Sequence, residues 1–392
     1  KAISSSPNLR IGLAAPTGKA ARRLQESLHQ SISSIDPTYQ EVLAKIPCQT
    51  LHSWLKANPS GFRKNKNSPL DLDLLVVDEM SMVDLTLMKA LLEALPFDSQ
   101  LVLVGDPNQL PPIGIGSIWQ ELHQENNLTD FGSAAIKLKK LYRNRGELAS
   151  LGQIINNDGL TSFWENVQTL KPSSNVIFNI SIEKDIPEKV LNHLRKQSEY
   201  LKHFTSELKN TLPEDLILLP NPSTTQSAAI KHLFKALGEL MVLCPKRNGL
   251  WGVNHVHQVL LGNTFKEDAM RWPEGTPVMC TENQHELGLS NGDIGIVIGE
   301  SERQRLLFMV YTNENKSIAS FFHPARLKSI EPALAMTIHK AQGSEALKVI
   351  VLWPESIKEN QTGTANEIFE QRLLYTAITR AKAKLEINVN QT

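Results

Sequence analysis

Two short apolar runs, each emptying into a polar cluster, constrain this chain more than any other feature. Leu74 to Val77 leads into Asp78 and Glu79, and Leu101 to Val104 leads into Gly105, Asp106, Pro107, Asn108 and Gln109. Four consecutive apolar residues without polar alternation suit a strand buried on both faces, the kind found in a parallel sheet covered by helices. Sheets of that kind carry their chemistry at the carboxyl ends of the strands. The expected fold class is therefore α/β, with a doubly wound parallel sheet and both polar clusters on one edge.

With 392 residues, 41% apolar and 21% charged, the chain is long enough for two or three domains and has the make-up of a globular protein. Lys plus Arg (41) equals Asp plus Glu (41), so no global basic field draws in nucleic acid, and any such binding must come from a local groove. Cys48, Cys244 and Cys280 are far apart and lack metal-ligand spacing, which reads as buried thiols in a reducing compartment. No apolar stretch reaches the roughly 18 residues that span a bilayer, and KAISSSPNLR does not resemble a signal peptide, so a cytoplasmic protein without a membrane partner is expected.

Strand and helix patterns alternate from Ile11 to about Ser133, giving a first parallel-sheet domain over residues 1–134. Within it Lys56 to Leu70, KANPSGFRKNKNSPL, has two prolines, a Ser-Gly turn signal and four basic residues, and reads as an exposed loop or small hairpin. Residues 135–271 form the first part of a second α/β domain. They include a mostly helical excursion near 150–215 and a strand, Leu240 to Cys244. From 272 to 330 short runs separated by turn clusters such as Asn291-Gly292-Asp293 suggest an inserted antiparallel β-module. The α/β rhythm resumes over 331–392, so the second domain is expected to be discontinuous.

Adjacent carboxylates at a strand end suit phosphoryl transfer: Asp78 to hold a hydrated Mg2+ and Glu79 to polarise the attacking water. Taken as a dipeptide alone, they would read more readily as exposed loop carboxylates; Ser81 and the GDPNQL that follows favour the catalytic reading. Gln109, at the neighbouring strand end, is placed to sense a γ-phosphate through a neutral hydrogen bond. Arg143 and Arg380 are candidates to neutralise charge on a transferred phosphoryl group. Pro16, Thr17 and Lys19, with Thr50 and His52, and separately Thr337, His339 and Lys340, offer hydroxyls, cations and imidazoles suited to contacts on single-stranded phosphates. Either histidine alone would read as a packing residue, and the tryptophans read more readily as core than as base stackers. The phosphate-binding pattern G-x-x-x-x-G-K-[ST] does not occur; Gly12 to Lys19 has five residues between its glycines and puts Ala20 where the hydroxyl belongs.

Taken together, LAAPTGKAARRL, CQTLHSWL, LLVVDEMSMVD, LVLVGDPNQLPP, KLYRN, ELGLSNGDIGIV, AMTIHKAQGSE and LLYTAITRAKAKL resemble superfamily 1 DNA helicases, especially the RecD branch, the alpha subunits of exodeoxyribonuclease V. The resemblance covers nearly the whole chain and is weakest from about Ser150 to Pro220. It implies two RecA-like domains, the first truncated, with ATP and Mg2+ in the cleft and single-stranded DNA across their tops, moved 5′ to 3′. By position, Asp78 would hold the metal and Glu79 would act as base. Gln109 would couple the γ-phosphate to DNA, and Arg143 and Arg380 would be arginine fingers. Gly343 and Glu345 would line the nucleotide, and Pro16, Thr17, Lys19, Thr50, His52, Thr337, His339 and Lys340 would lie along the DNA. The 56–70 segment falls where relatives place a duplex-splitting pin, and 272–330 falls on their SH3-like module. Single-stranded and duplex DNA, and nuclease and helicase partner subunits of an exodeoxyribonuclease V complex, are the implied partners. The family's phosphate-binding loop would precede Ile11, so the expectation is a fragment that does not hydrolyse ATP at a useful rate. Two alternatives are a stand-alone helicase of the same branch and a non-catalytic DNA-binding or scaffold protein.

Overall fold

A computed structural model describes residues 9–138, 146–170, 175–210, 224–266, 269–300, 303–311, 317–354 and 364–390. The chain divides into two compact units, Lys1–Lys139 and Lys140–Thr392.

In the first unit β1 (Ile11–Ala15) is joined to α1 (Gly18–Ile32) by only Pro16 and Thr17. That connection is too short to cradle a phosphate, in keeping with the spacing mismatch in the sequence. Ala15, Ala20 and Ala21 are small enough to let α1 lie close to the sheet beside Cys48. After α2 (Pro37–Ala44) come β2 (Cys48–Thr50) and the single turn α3 (Leu51–Trp54). Lys56 to Leu70 then contains a two-stranded antiparallel hairpin, β3 (Ala57–Asn58) and β4 (Gly61–Phe62), in which Ser60 N–H donates to Asn58 Oδ1 at 2.8 Å. The sheet continues with β5 (Leu74–Val77), α4 (Leu85–Ala94) and β6 (Gln100–Leu103), and α5 (Ile118–Leu122) and α6 (Glu125–Phe131) close the unit. All pairings in the order β2-β1-β5-β6 are parallel. α4 buries Leu87, Met88, Leu91 and Ala94, one helical stripe, against Leu75 and Val77. Each such large side chain contributes about 1.5–3 kcal/mol of burial. Gly105 is required by close approach, since a Cβ there would lie 2.9 Å from both the Met80 nitrogen and the Trp119 indole nitrogen.

The second unit opens with α7 (Glu147–Asn157) and α8 (Gly159–Gln168). β7 (Val176–Ser181), α9 (Glu188–Lys209), α10 (Thr224–Leu237), β8 (Leu240–Cys244) and α11 (Val253–Leu261) follow. An antiparallel stretch comes next: β9 (Pro277–Cys280), β10 (Ile294–Ile298), β11 (Arg305–Tyr311), β12 (Ser317–Phe322) and β13 (Ile330–Pro332), ordered β12-β11-β10-β9-β13. Then β14 (Met336–Thr337), β15 (Ala346–Trp353), α12 (Thr364–Ile378) and β16 (Ala381–Asn390) complete a parallel sheet ordered β14-β8-β15-β16-β7. The stretch expected to be a helical excursion therefore also supplies the edge strand β7. α9 serves two cores: Val190, Leu191 and Leu194 pack with Val242 and Ile350 of the parallel sheet, and Leu201 and Leu208 pack with Ile296, Leu307 and Phe321 of the antiparallel one.

β16 alternates apolar and polar residues, the pattern of a strand with one wet face, yet Glu386, Asn388 and Asn390 are all buried. It is an interior strand, and its polar side chains are tied to neighbouring elements, with Asn388 Nδ2 left without a hydrogen-bond partner among the described residues. Lys348 Nζ lies 2.8 Å from Glu386, Asn179 donates to Asn388 Oδ1 at 3.0 Å, and Asn390 donates to the Glu183 carbonyl at 2.9 Å. A charge is tolerated at such depth only when paired in this way.

His257 on α11 is 2% exposed, and its Nε2 accepts the Ala335 N–H at 3.3 Å. Burial pushes its pKa down to about 4 from 6.5. The unfolded chain therefore takes up this proton from about pH 6.5 downward while the folded chain resists until about pH 4. The stabilisation is complete above pH 6.5 and declines as the pH falls through that window, by about 3 kcal/mol in all. Urea unfolding between pH 4 and 8 should show that decline, and His257→Gln should flatten it; an identical pH slope in both proteins would refute the assignment.

Candidate nucleotide and DNA site

In the first unit, the ends of three parallel strands are locked in a row. Asp78 N–H donates to the Ala14 carbonyl at 2.9 Å, Val104 N–H to Val77 at 2.8 Å, and Met80 N–H to Val104 at 3.0 Å. Between these anchors the chain turns sharply at Glu79, whose φ of 55° and ψ of 43° are left-handed. Its N–H donates to Asp78 Oδ1 at 2.8 Å. A non-glycine residue held this way costs about 1–2 kcal/mol, and such strain gathers at functional sites. Polar atoms enclosed at this edge without a hydrogen-bond partner among the described residues include the Ser81 hydroxyl oxygen, Gln109 Oε1 and the Trp119 indole nitrogen. Buried polar groups are overwhelmingly paired, so such orphans near a carboxylate pair suit a polar ligand. One or two carboxylates with phosphate and water oxygens are the ordinary set for Mg2+, so Asp78 fits the metal side of a nucleotide complex. Asp106 opens a tight turn, with Asn108 N–H on Asp106 Oδ1 at 3.0 Å and Gln109 N–H on the Asp106 carbonyl at 3.3 Å. Arg143 lies outside the described residues.

Because the strands run parallel, Pro16, Thr17, Lys19, Thr50 and His52 come to the same edge as Asp78, Glu79 and Gln109. Ala15 pairs with Thr50 directly. Both threonine hydroxyls have structural work: Thr17 Oγ1 caps α1 through Ala20 N–H at 3.2 Å, and Thr50 Oγ1 caps α3 through Ser53 N–H at 3.1 Å. Capping uses an oxygen lone pair, which leaves the Thr17 hydroxyl proton to donate, while the Thr50 hydroxyl also meets Ser53 Oγ at 2.9 Å, where either oxygen can donate. His52 is exposed, its ring 6.0 Å from Phe62 on the hairpin. Trp54 is fixed by a bond from its indole N–H to the Leu13 carbonyl at 2.9 Å, and Trp119, Trp251 and Trp353 are buried, as core residues should be.

In the second unit a single stretch of sequence serves both edges of the sheet. Thr337 pairs with Cys244 at the carboxyl end of β8, and His339 and Lys340 lie in the turn that follows. His339 stacks on Phe369, ring centroids 6.0 Å apart, and burial lowers its pKa. By residues 343–345 the chain has crossed to the amino ends of β15 and β16, roughly 20 Å of strand away. There Ala346 N–H donates to the Arg380 carbonyl at 3.0 Å. Gly343 turns the chain with a φ of 66°, and Glu345 pairs with Lys382 at 2.9 Å. Arg380 is 2% exposed: Nε donates to the Thr376 carbonyl at 3.0 Å, Nη1 to Ser344 at 3.3 Å and Nη2 to Thr379 Oγ1 at 3.1 Å. Sequence reasoning took Arg380 as a candidate arginine finger and missed this enclosure. It also missed Glu331 and Arg247, which meet Lys340 only through the fold.

Both parallel sheets overlap stretches of sequence that match known families. The model of the AAA domain family matches residues 2–115, and that of the UvrD-like helicase C-terminal domain matches 332–387. Over those stretches the chain is similar to both families. Its resemblance to RecD proteins runs the length of the chain: it is 31% identical to the RecBCD enzyme subunit RecD of Mycolicibacterium smegmatis over 98% of this chain and 63% of that protein. It is 28% identical to the ATP-dependent RecD2 DNA helicase of Deinococcus radiodurans, over 97% of this chain and 43% of that one. The chain thus spans less than two thirds of the length of these relatives. Among solved structures, a Bacteroides Pif1 bound to single-stranded DNA aligns over 98% of this chain and 84% of that one, with 20% identity and a TM-score of 0.44.

Proposed function

We propose that this chain is the motor portion of an ATP-dependent DNA helicase subunit of the exodeoxyribonuclease V type, acting in DNA repair and recombination. It would translocate 5′ to 3′ on single-stranded DNA and separate duplex ahead of it. The observation that carries this reading is the left-handed turn at Glu79 beside Asp78, on an edge where Ser81 and Gln109 hold unpartnered buried oxygens.

In this reading Asp78 holds Mg2+, which supplies charge neutralisation on the phosphates when bound. Glu79 takes the proton of the attacking water, and Gln109 reports the γ-phosphate to the strand-end residues. Arg380 and Arg143 stabilise the transferring phosphoryl charge, and Gly343 and Glu345 border the nucleotide. Pro16, Thr17, Lys19, Thr50, His52, Thr337, His339 and Lys340 follow the DNA backbone, which positions without reading sequence. The 57–62 hairpin acts as a duplex-splitting pin, and the antiparallel strands between 272 and 330 form an SH3-like insertion. The names of the RecD relatives support partner subunits in a nuclease–helicase complex.

Residues 1–392 contain no lysine–hydroxyl pair on a phosphate-binding loop. The polypeptide 1–392 should therefore bind an oligo-dT strand yet hydrolyse ATP orders of magnitude more slowly than the full-length natural protein. Side-by-side ATPase and fluorescence anisotropy measurements check this. Equal turnover by the two, or no strand binding by either, would contradict the proposal.

A further inference from the structure

Three charged side chains from three separate elements meet at the carboxyl end of β8. Glu331, on β13, accepts from Lys340 Nζ at 2.6 Å through one oxygen and from the Arg247 guanidinium through the other. Lys340 sits in the turn after β14, whose shape is fixed by its N–H on Thr337 Oγ1 at 3.4 Å. Arg247 belongs to the exposed Lys246-Arg247-Asn248 loop that leaves β8; its carbonyl is pinned by the Asn254 N–H at 3.0 Å, and Gly252 packs against it.

We propose that Arg247 and Lys340 form a phosphodiester-binding pair, and that Glu331 is the counter-ion which a nucleic-acid phosphate displaces. This rests on the reading that the Thr337 edge takes single-stranded DNA. The two cations are differently buried from the carboxylate: the Arg247 and Lys340 side chains are 49% and 28% exposed, and that of Glu331 is 12% exposed. An incoming anion therefore meets the cations first. Guanidinium and ammonium groups bind phosphate oxygens as readily as carboxylate oxygens, and a guanidinium does so through a planar fork. Burial would raise the Glu331 carboxyl, but the bonds from Lys340 and Arg247 outweigh it and hold the group below the usual carboxylate range. It stays ionised at neutral pH and screens both cations in the absence of nucleic acid. With the adjacent Lys246 the cluster carries a net positive charge, although the chain as a whole carries none. Phosphate contacts here would hold the strand without regard to base identity.

The test is anisotropy of a labelled oligo-dT strand on the full-length natural protein without nucleotide, across a salt series, with thermal melting as a control for folding. Glu331→Gln should bind more tightly at low salt. Arg247→Gln and Lys340→Gln should each bind more weakly, with the plot of log affinity against log salt shallower by about 0.7 for each lost phosphate contact. Weaker or unchanged binding by a folded Glu331→Gln protein would overturn the counter-ion role. If that variant melts early, the other two decide: unaltered salt slopes would overturn the pair. Absence of strand binding by the unsubstituted protein would instead refute the DNA reading of this edge.

Discussion

Replacing Glu79 with glutamine in the full-length natural protein should lower single-strand-stimulated ATP hydrolysis by about 10²–10⁴-fold, the range of general base catalysis. Glutamine keeps the size of the side chain. The turn is anchored by backbone bonds from Asp78, Met80 and Val104, together with the Glu79 N–H on Asp78 Oδ1. The left-handed turn and the fold should therefore survive, and nucleotide affinity should change little while kcat collapses. Steady-state kinetics with a melting control checks this. A variant as active as the natural protein would remove Glu79 from the chemistry.

Arg380→Gln should reduce hydrolysis further, by about 10³–10⁵-fold if the guanidinium acts on the transferring phosphoryl group. The structure adds a second effect that must be separated from the first. Arg380 ties Ser344 to Thr376 and Thr379, so its removal leaves the Ser344 and Thr376 carbonyls without these bonds and should lower the melting temperature of the second unit. Arg380→Lys keeps the charge but cannot reproduce the planar fork, and should lie between the two in stability while remaining nearly inactive. A kcat loss with little change in KM, measured on folded protein, is the expected signature. A loss that merely tracks the fraction unfolded would make Arg380 a structural residue.

The first unit was legible in the sequence because its signals are local. VVDE and LVGDPNQ mark two strands and the polar turns that end them, and the clustered turn and basic residues of 56–70 pointed to a loop or hairpin. The second unit was less so. β7 was lost because NVIFNIS sits among helical segments, and its role depends on pairing with β16, some two hundred residues later. The polar face of β16 was legible as alternation but not as burial, because only the neighbouring strand and Lys348 show that the face is dry. Glu331 and Arg247 had no signal at all: each is an ordinary charge in its own stretch, and their meaning arises from three elements converging on Lys340. Thr17 and Thr50 show the opposite difficulty, since the same hydroxyls satisfy a helix-capping reading and a DNA reading, and sequence gives no way to divide the two.

Strand separation by the full-length natural protein tests the motor reading most directly, using a duplex that carries a single-stranded 5′ tail in the presence of ATP and Mg2+. The account predicts displacement of the complementary strand from the 5′-tailed duplex, dependent on hydrolysable ATP and abolished by Glu79→Gln, with no displacement from a blunt or 3′-tailed control. Tight binding to the 5′ tail without any strand separation, or separation that persists in the Glu79→Gln protein, would contradict it.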